Sequence, residues 1–416
     1  MFTHDRLLTV LSHWTASTGV KLHDASTFHI TPVSHGFSGG RVYRIQNNRG
    51  ACTSTWALKA IPLSAKHDRT EEIAGRVVAA SLQCDLLTPP LPSNVTSGAA
   101  DISTAIESHG HRWELSRWVE GVALPRDAES ELIAKGGEAI AHVHNAFADE
   151  STTDNGDAVL LLGKCESSAI DNAGLSRPHL PRCIADRIQR LKHLSGSIEQ
   201  LSKHECSVDE IADRLKRQVP LGSPPDPASQ IHHRKLAESL VEANAWLQRN
   251  WKTVAPELLG RLKAHAAMFQ HHPQRYPVSW VLRDVHRDHV LFSPPSVDDP
   301  RDVRGVLDYD AVDADSPAAD LARWAGDFCP TCADKAHPSS LADASPLDAA
   351  VAGYRNVRPF SKWELELATT LMDVNSVGGL GNWTSWLIAE NRHFPVSALR
   401  IRDRITHLIA SVCRIC

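Results

Sequence analysis

Short runs of alternating apolar and polar residues fill the first third of the chain. Residues 41–45 alternate with period two, and residues 56–61 form a mostly apolar run after a turn at residues 47–50. Such runs, bounded by Gly, Asn and Ser, are typical of β-strands. Residues 69–82 instead place apolar side chains on one face of a helix. The pattern therefore predicts a small N-terminal region of strands with one helix.

From residue 122 onward the apolar spacing becomes that of helices. The spacing predicts helices over residues 184–194, 208–218 and 235–250, separated by a polar segment and a proline-rich break. The first two of these helices lie in a segment of about residues 150–235, which we expect to be either a helical subdomain on the substrate side or an insertion. The order Ser316-Pro317 is typical of a helix start, and Ser361 with Glu364 predicts a capping box.

The densest group of chemically active side chains lies in residues 282–289, with the sequence LRDVHRDH. Two apolar runs follow, at residues 290–292 and 303–307, and the loop between them contains proline and aspartate. This pattern predicts two strands joined by a loop. Folding that hairpin would bring Asp308 back beside His289. The two side chains could then share one cation, and carboxylate oxygens such as those of Asp308 suit magnesium.

Two N-terminal features indicate phosphate binding. The first is a glycine-rich bend that contains Ser38, Gly39 and Gly40; glycines let backbone amides approach phosphate oxygens, although a simple hairpin has the same composition. The second is Lys59, a single lysine within an apolar strand. A buried lysine is costly unless it meets an anion, whereas on an edge strand it could point to solvent. Glu72, in the first turn of the predicted helix, is a candidate partner for it, although the helix dipole also favours that position.

With these elements in order, the chain resembles the aminoglycoside phosphotransferase and choline kinase family. The catalytic pattern of that family is H-G-D-x-H-x-x-N-x-L, followed by I-D-[FW] and by a D-x-A segment. Residues 282–291, 307–309 and 315–322 of this chain are similar to these three parts. Residues 113–121 resemble the family's hinge strand, and residues 140–144 resemble the helix before the catalytic region.

The resemblance implies an α+β, two-lobed, protein-kinase-like fold. Residues 1–120 would form a small antiparallel β lobe that binds the nucleotide, and residues 121–416 a larger, mostly helical lobe. It also implies an ATP-dependent kinase that transfers the γ-phosphate to a hydroxyl of a small molecule. Amino sugars, choline-like amine alcohols, homoserine and sugars remain open as acceptors. A cationic acceptor could be favoured by a group of acidic residues, Asp310, Asp313 and Asp315.

The resemblance also implies roles for individual residues. Asp284 would accept the proton of the attacking hydroxyl, and His289 and Asp308 would hold magnesium or manganese. Arg283 could neutralise the transferring charge or serve as an ion-pair partner, and Asp320 would support the loop. The nucleotide-binding residues implied are Lys59, Glu72, Ser38, Gly39 and Gly40 for the phosphates and Ser116, Arg117, Trp118 and Val119 for adenine.

The chain departs from the family pattern at two places. Leu282-Arg283 replaces His-Gly, and His289 replaces the metal-binding Asn. Because imidazole suits softer divalent ions than magnesium, His289 leaves open a weakened metal site, a different metal preference, or a nucleotide-binding pseudokinase. A zinc-dependent hydrolase of the metallo-β-lactamase type is a further alternative, with His286, Asp288 and His289 as ligands. That motif lies two thirds along the chain, without an evident downstream histidine to complete it.

Composition narrows the choice of partners. The 416 residues carry a net charge of -5 without a basic run, so we expect a small-molecule substrate and no nucleic acid. Neither a targeting segment nor a membrane span is evident, so we expect a cytoplasmic monomer or homodimer. The nine cysteines predict reduced thiols. The two C-x-x-C pairs, at residues 329–332 and 413–416, either share a structural zinc or are ordinary loop and tail cysteines.

Overall fold

The computed structural model of the protein describes residues 2–14, 28–33, 40–47, 54–63, 70–93, 96–97, 101–149, 180–201, 207–217, 227–296, 301–329, 344–394 and 396–415. The chain divides into two compact units. The first contains Met1–Val122, Leu291–Asp310 and Phe394–Val396, and the second contains Ala123–Val290, Ala311–His393 and Ser397–Cys416. The first unit thus includes a segment that follows the catalytic loop in sequence, which a single division near residue 120 does not capture.

The first unit is built on a five-stranded antiparallel sheet, in the order β1-β2-β3-β7-β6. Its strands are β1 (Phe28–Pro32), β2 (Arg41–Asn47), β3 (Ser54–Pro62), β6 (Ala105–Ser108) and β7 (His111–Arg117). Two short strands, β4 (Thr96–Ser97) and β5 (Asp101–Ile102), pair separately. Alternation along β3 and β7 buries Leu58, Trp113 and Leu115 completely. These side chains pack with helix α1 (His4–Leu11) and Trp14 in one core.

The predicted strands and helix of this unit are confirmed. Helix α2 (Thr70–Ala80) occupies the predicted helical segment. The two apolar runs after the catalytic loop form β10 (Val290–Phe292) and β11 (Val303–Val306), which lie in a three-stranded sheet of order β11-β10-β8 with β8 (Val122–Ala123). The backbone N–H of Val306 donates to Leu86 O at 2.8 Å, which fixes the end of β11 just before Asp308.

Helices make up most of the second unit. They are α3 (Ser130–Asp149), α4 (Arg182–Leu201), α5 (Val208–Arg217), α6 (Pro227–His271), α7 (Ala318–Ala325), α8 (Pro346–Arg355), α9 (Lys362–Thr384) and α10 (Ala398–Val412). All three helices predicted between residues 184 and 250 are present, but α6 continues for 45 residues through Pro256. It persists because buried apolar residues, among them Leu247, Leu258 and Leu262, recur every three or four positions.

Two features of this unit position the catalytic loop. Strand β9 (Ser279–Val281), which leads into the loop, pairs antiparallel with β12 (Asp313–Asp315). Helices α3 and α8 cross closely, since a Cβ on Gly137 would lie 2.1 Å from Ala350 O. The predicted capping box of Ser361 and Glu364 at the start of α9 is confirmed. Among the described helices, none combines the length and apolar character that a membrane crossing needs.

Candidate active site

In the first unit, Lys59 lies between two carboxylates. Its Nζ is 2.8 Å from Asp308 Oδ1 and 2.7 Å from Asp310 Oδ2. Strand β3 is an inner strand of the sheet, so the alternative of an edge-strand lysine is wrong. Burial alone would lower the pKa of Lys59, but the charges of Asp308 and Asp310 outweigh it and raise the pKa. Lys59 is therefore a fixed cation beside the candidate metal ligand.

The backbone at Asp308 holds a conformation that few residues other than glycine adopt. Its φ is 65°, and such positions cost on the order of 1–3 kcal/mol and cluster at functional sites. The next residue fixes this turn: Thr88 N donates to Tyr309 Oη at 2.9 Å, and Tyr309 Oη donates to Val306 O. Asp308 and Asp310 thus point to Lys59 from a short segment that is anchored at Tyr309.

The two carboxylates are suitable ligands for a divalent cation. The side chains of Asp308 and Asp310 are 33% and 35% exposed. Their two negative charges leave an excess of one negative charge over the single positive charge of Lys59. Magnesium is commonly held by one or two carboxylates, with phosphate oxygens and water completing its octahedron. Within the described ranges, no group of three or more His, Cys, Asp and Glu side chains could hold a metal by itself. The donor set therefore fits magnesium that arrives with a nucleotide, and does not fit a closed structural metal site.

In the second unit, a buried carboxylate holds the start of the catalytic loop. Asp320 on α7 is fully buried and accepts the N–H groups of Leu282 at 2.7 Å and Arg283 at 2.6 Å. Its Oδ2 also lies 2.9 Å from His144 Nε2, and His144 Nδ1 lies 3.0 Å from Tyr354 Oη. Burial lowers the pKa of His144, so the neutral imidazole donates to Asp320 and accepts from Tyr354. Asp320 thus makes the backbone contacts that the predicted support role requires.

Arg283 stands where the family pattern has glycine, and its backbone conformation explains why glycine is favoured at this position. Its φ is 63°, in the left-handed region that glycine favours. The guanidinium lies 2.6 Å from Asp186, 3.2 Å from Asp315 and 3.7 Å from Asp313. These ion pairs help to offset the backbone strain. They also favour the ion-pair role over direct neutralisation of the transferring phosphoryl group.

Asp284, the candidate base, is oriented by one arginine. Arg323 on α7 places Nη2 at 2.9 Å and Nε at 3.1 Å from Asp284 Oδ1. The Asp284 side chain is nevertheless 53% exposed. The carboxylate is therefore fixed in direction and accessible to a substrate.

His289 is oriented by the same loop. Its Nδ1 lies 2.9 Å from the backbone oxygen of Asp284, and because a carbonyl oxygen can only accept, Nδ1 carries the proton. In the neutral form of the ring, Nε2 is then the basic nitrogen, which is the arrangement of metal-binding histidines. The zinc-hydrolase alternative gains nothing from this geometry, since the Asp288 carboxylate pairs with Arg287 at 3.4 Å and Arg400 at 3.1 Å.

The other predicted site residues have different outcomes. Lys59 pairs with Asp308 and Asp310, so the predicted Lys59–Glu72 pair is not formed. Glu72 is 48% exposed at the start of α2, with its carboxylate 3.7 Å from Arg76. Ser38 and Gly39 lie outside the described residues, as do Cys332 and Cys416 of the C-x-x-C pairs, and Gly40 directly precedes β2.

The predicted adenine-binding segment, residues 116–119, spans the end of β7. Ser116 pairs with Ala57 of β3, and Trp118 N donates to Thr55 O at 3.1 Å. Arg117 ends the strand, and Val119 follows outside it. The segment is thus tied to β3, the strand that carries Lys59. Its adenine-binding role stays a prediction.

Sequence reasoning missed the partners of the catalytic loop. Arg323 is 39 positions from Asp284, and Asp186 is 97 positions from Arg283. No local pattern links residues at such distances. His144 lies in the segment that resembles the family's helix before the catalytic region. That resemblance pointed to the segment but predicted no role for His144.

Comparison with known proteins identifies a family and a fold for the chain. The sequence model described as "Phosphotransferase enzyme family" matches residues 29–360. No curated protein matches the chain significantly. The structure of a spectinomycin phosphotransferase in complex with ADP and spectinomycin is 11% identical, with a TM-score of 0.50 over 98% of this chain and 97% of that chain.

Two other solved structures are similar at lower scores. A microcompartment-associated aminopropanol kinase is 13% identical, with a TM-score of 0.47 over 97% of this chain and 95% of that one. An ethanolamine kinase from Plasmodium vivax is 11% identical, with a TM-score of 0.44 over 97% and 86%. The predicted α+β kinase-like fold is confirmed, and the chain belongs to the phosphotransferase enzyme family.

Proposed function

We propose that the protein is an ATP-dependent kinase that transfers the γ-phosphoryl group to a hydroxyl of a small molecule. The observation that carries this proposal is the position of Lys59, 2.8 Å from Asp308 and 2.7 Å from Asp310. Phosphoryl transfer by kinases needs a strand lysine for the phosphates and an aspartate for the metal. These are the two residue types that the fold brings together here.

In the first unit, the residues bind and orient the nucleotide. An ammonium group has three donors, and Lys59 uses two of them on Asp308 and Asp310, so the third can bind a phosphate oxygen. Asp308 supplies carboxylate oxygen to the metal. Magnesium, when bound, would neutralise charge on the β- and γ-phosphate oxygens. The backbone of residues 38–40 would contact phosphate, and residues 116–119 would contact adenine.

In the second unit, Asp284 takes the proton. Arg323 binds Oδ1 of Asp284, and Oδ2 is the atom that would accept the proton of the acceptor hydroxyl. The acceptor oxygen then forms a bond to the γ-phosphorus, the bond between that phosphorus and the leaving ADP oxygen breaks, and ADP departs with the bonding electron pair. His289 would offer Nε2 to a divalent cation, and manganese accepts imidazole more readily than magnesium does.

The direct test is an ATP-consumption screen. The acceptors would be aminoglycosides, choline, ethanolamine, homoserine and simple sugars, each in magnesium and in manganese. We expect acceptor-dependent ADP formation with at least one class, and higher turnover in manganese if His289 binds the metal. ADP formation that is the same with and without every acceptor, in both metals, would contradict the proposal.

One observation favours a second candidate, a nucleotide-binding pseudokinase. His289 stands where the family pattern has asparagine, and a weak metal site would leave binding without transfer. Thermal stabilisation by ATP, without turnover in either metal, would favour this alternative over an active kinase.

A further inference from the structure

A group of five arginines, linked to one another by charge interactions and shared acids, extends from Asp284 in the second unit. They are Arg182, Arg187 and Arg190 on α4, Arg283 in the catalytic loop and Arg323 on α7. Four carboxylates lie among them, those of Asp186, Asp284, Asp313 and Asp315. Arg182 pairs with Asp313, Arg283 pairs with Asp186 and Asp315, and Arg323 pairs with Asp284. Three arginines thus form ion pairs with all four acids, and the other two, Arg187 and Arg190, form none with a carboxylate among the described residues.

Those two, Arg187 and Arg190, are oriented by amides. Arg187 Nε donates to Asn375 Oδ1 at 2.8 Å. With the Asn382 amide turned so that its oxygen faces α4, that oxygen accepts from Arg190 Nη2 at 2.6 Å and from Nε at 3.3 Å. In the described part of the chain neither guanidinium forms an ion pair with a carboxylate. Because an amide oxygen carries no net charge, it fixes the direction of each guanidinium without neutralising its positive charge.

The charges in this group act on one another. Burial, with smaller contributions from the positive charges of Arg187 and Arg323, lowers the pKa of Arg190 to about 10, while Asp284 acts in the opposite direction. Burial also lowers the pKa of Arg187; Cys183 and Asp315 oppose that effect, and the positive charges of Arg323 and Arg283 add to it. Both groups remain protonated near neutral pH. An anion beside them would relieve this repulsion, whereas a cation would increase it.

The acidic side chains that could have received a cationic acceptor are already engaged. Asp310 pairs with Lys59, Asp313 pairs with Arg182, and Asp315 is fully buried beside Arg283. The charge next to Asp284 that remains to be balanced is therefore positive. We propose that the acceptor carries an anionic group, a carboxylate or a phosphate, which Arg187 and Arg190 bind while Asp284 faces the hydroxyl. This inference rests on the kinase function proposed above.

The test compares acceptors with the same number of carbon atoms that carry a neutral, an anionic or a cationic group. One set is glycerol, glycerate, glycerol phosphate and aminopropanediol; the other is glucose, gluconate, glucose phosphate and glucosamine. In each set we expect kcat/KM for an anionic member to exceed that of the neutral one by at least about tenfold, with the amine lowest. The carboxylate and phosphate members show which anion is preferred. Equal or higher kcat/KM for the neutral or cationic member would overturn the inference.

The variants Arg190→Gln and Arg187→Gln test the site itself. Each should raise KM for the anionic acceptor about 10- to 100-fold, since a charge-assisted hydrogen bond is lost, and should leave the KM for ATP unchanged. Arg190→Lys should restore part of the loss. The control is Lys192→Gln, which removes one positive charge from the exposed face of the same helix and should leave both KM values unchanged. An unchanged acceptor KM in correctly folded Arg190→Gln and Arg187→Gln would overturn the inference.

Calorimetry separates this inference from the proposed function. Titration of glycerate, glycerol phosphate and gluconate into the protein measures binding without phosphoryl transfer. Binding that is lost in Arg190→Gln, together with no ATP turnover for any acceptor, supports the anion site and contradicts the kinase. Turnover of choline or glucosamine in preference to the anions supports the kinase and contradicts the anion site. Absence of binding for all three anions would also overturn the inference.

Discussion

The Lys59 cluster and the surroundings of Asp284 have opposite charge balances. In the first unit, one ammonium group faces the two carboxylates of Asp308 and Asp310. In the group of described residues that extends from Asp284 in the second unit, five guanidinium groups accompany four carboxylates, and Arg187 and Arg190 are held by amides. Both groups contain aspartates next to cations, so residue type alone does not separate them. The balance of charge separates the two groups, because an excess of carboxylate suits a metal cation and an excess of guanidinium suits an anion.

The largest loss of activity should come from replacing Asp284, the candidate base. Asp284→Asn keeps the shape of the side chain but removes its ability to take a proton, so kcat should fall by about 10²–10⁴. The Kd for ATP, measured by calorimetry, should stay within about twofold, because nucleotide binding is assigned to the first unit. The control is Asp288→Asn in the same loop, whose carboxylate pairs with Arg287 and Arg400. If Asp284→Asn turns over ATP at the wild-type rate, Asp284 has no part in the reaction.

A smaller loss of activity should follow from changing the other cluster. Lys59→Met removes the cation that lies between Asp308 and Asp310, so kcat/KM for ATP should fall by about 10²–10³. The two carboxylates would then repel each other. Adding Asp310→Asn to Lys59→Met should therefore raise the thermal unfolding midpoint above that of the single variant. No change in kcat/KM for ATP in Lys59→Met would separate this lysine from nucleotide binding.

Loss of the buried Asp320 carboxylate should destabilise the fold more than loss of the accessible Asp310 carboxylate. Asp320→Ala leaves the N–H groups of Leu282 and Arg283 without their acceptor, and each buried unsatisfied donor costs about 1–3 kcal/mol. Asp310→Ala, at a side chain that is 35% exposed, should change the free energy of unfolding much less. Urea denaturation of both variants gives the comparison. Equal losses would show that burial of Asp320 does not hold the loop.

Much of the fold was predictable from local pattern. The alternation in β2 and β3, the capping residues of α9 and the two strands after the catalytic loop all depend on residues close in sequence. The length of α6 was not predictable, because Pro256 is a local break that burial on both sides overrides. Local signals decide where most elements lie, and tertiary packing decides how far they extend.

The residues of the candidate site also divide into those that the local sequence marks and those that only folding brings together. Spacing and resemblance identified Asp284, His289, Asp308 and Lys59, because a family motif or an unusual strand lysine marks each of them. The partner of Lys59 was predicted to be Glu72, but it is the 308–310 segment, about 250 positions away. The arginines around Asp284 come from two helices and a loop. Their charge balance exists only after folding, whereas the sequence alone shows only that Asp310, Asp313 and Asp315 could favour a cationic acceptor.

The most direct test follows the γ-phosphate itself. ATP labelled with heavy oxygen in its γ-phosphate would be incubated with the protein and the acceptor that the screen identifies, and mass spectrometry would locate the label. We predict that the wild-type protein places the label on a hydroxyl of the acceptor and that Asp284→Asn does not. Label found only in inorganic phosphate, with both proteins alike, would contradict the central claim that Asp284 directs phosphoryl transfer to a hydroxyl group.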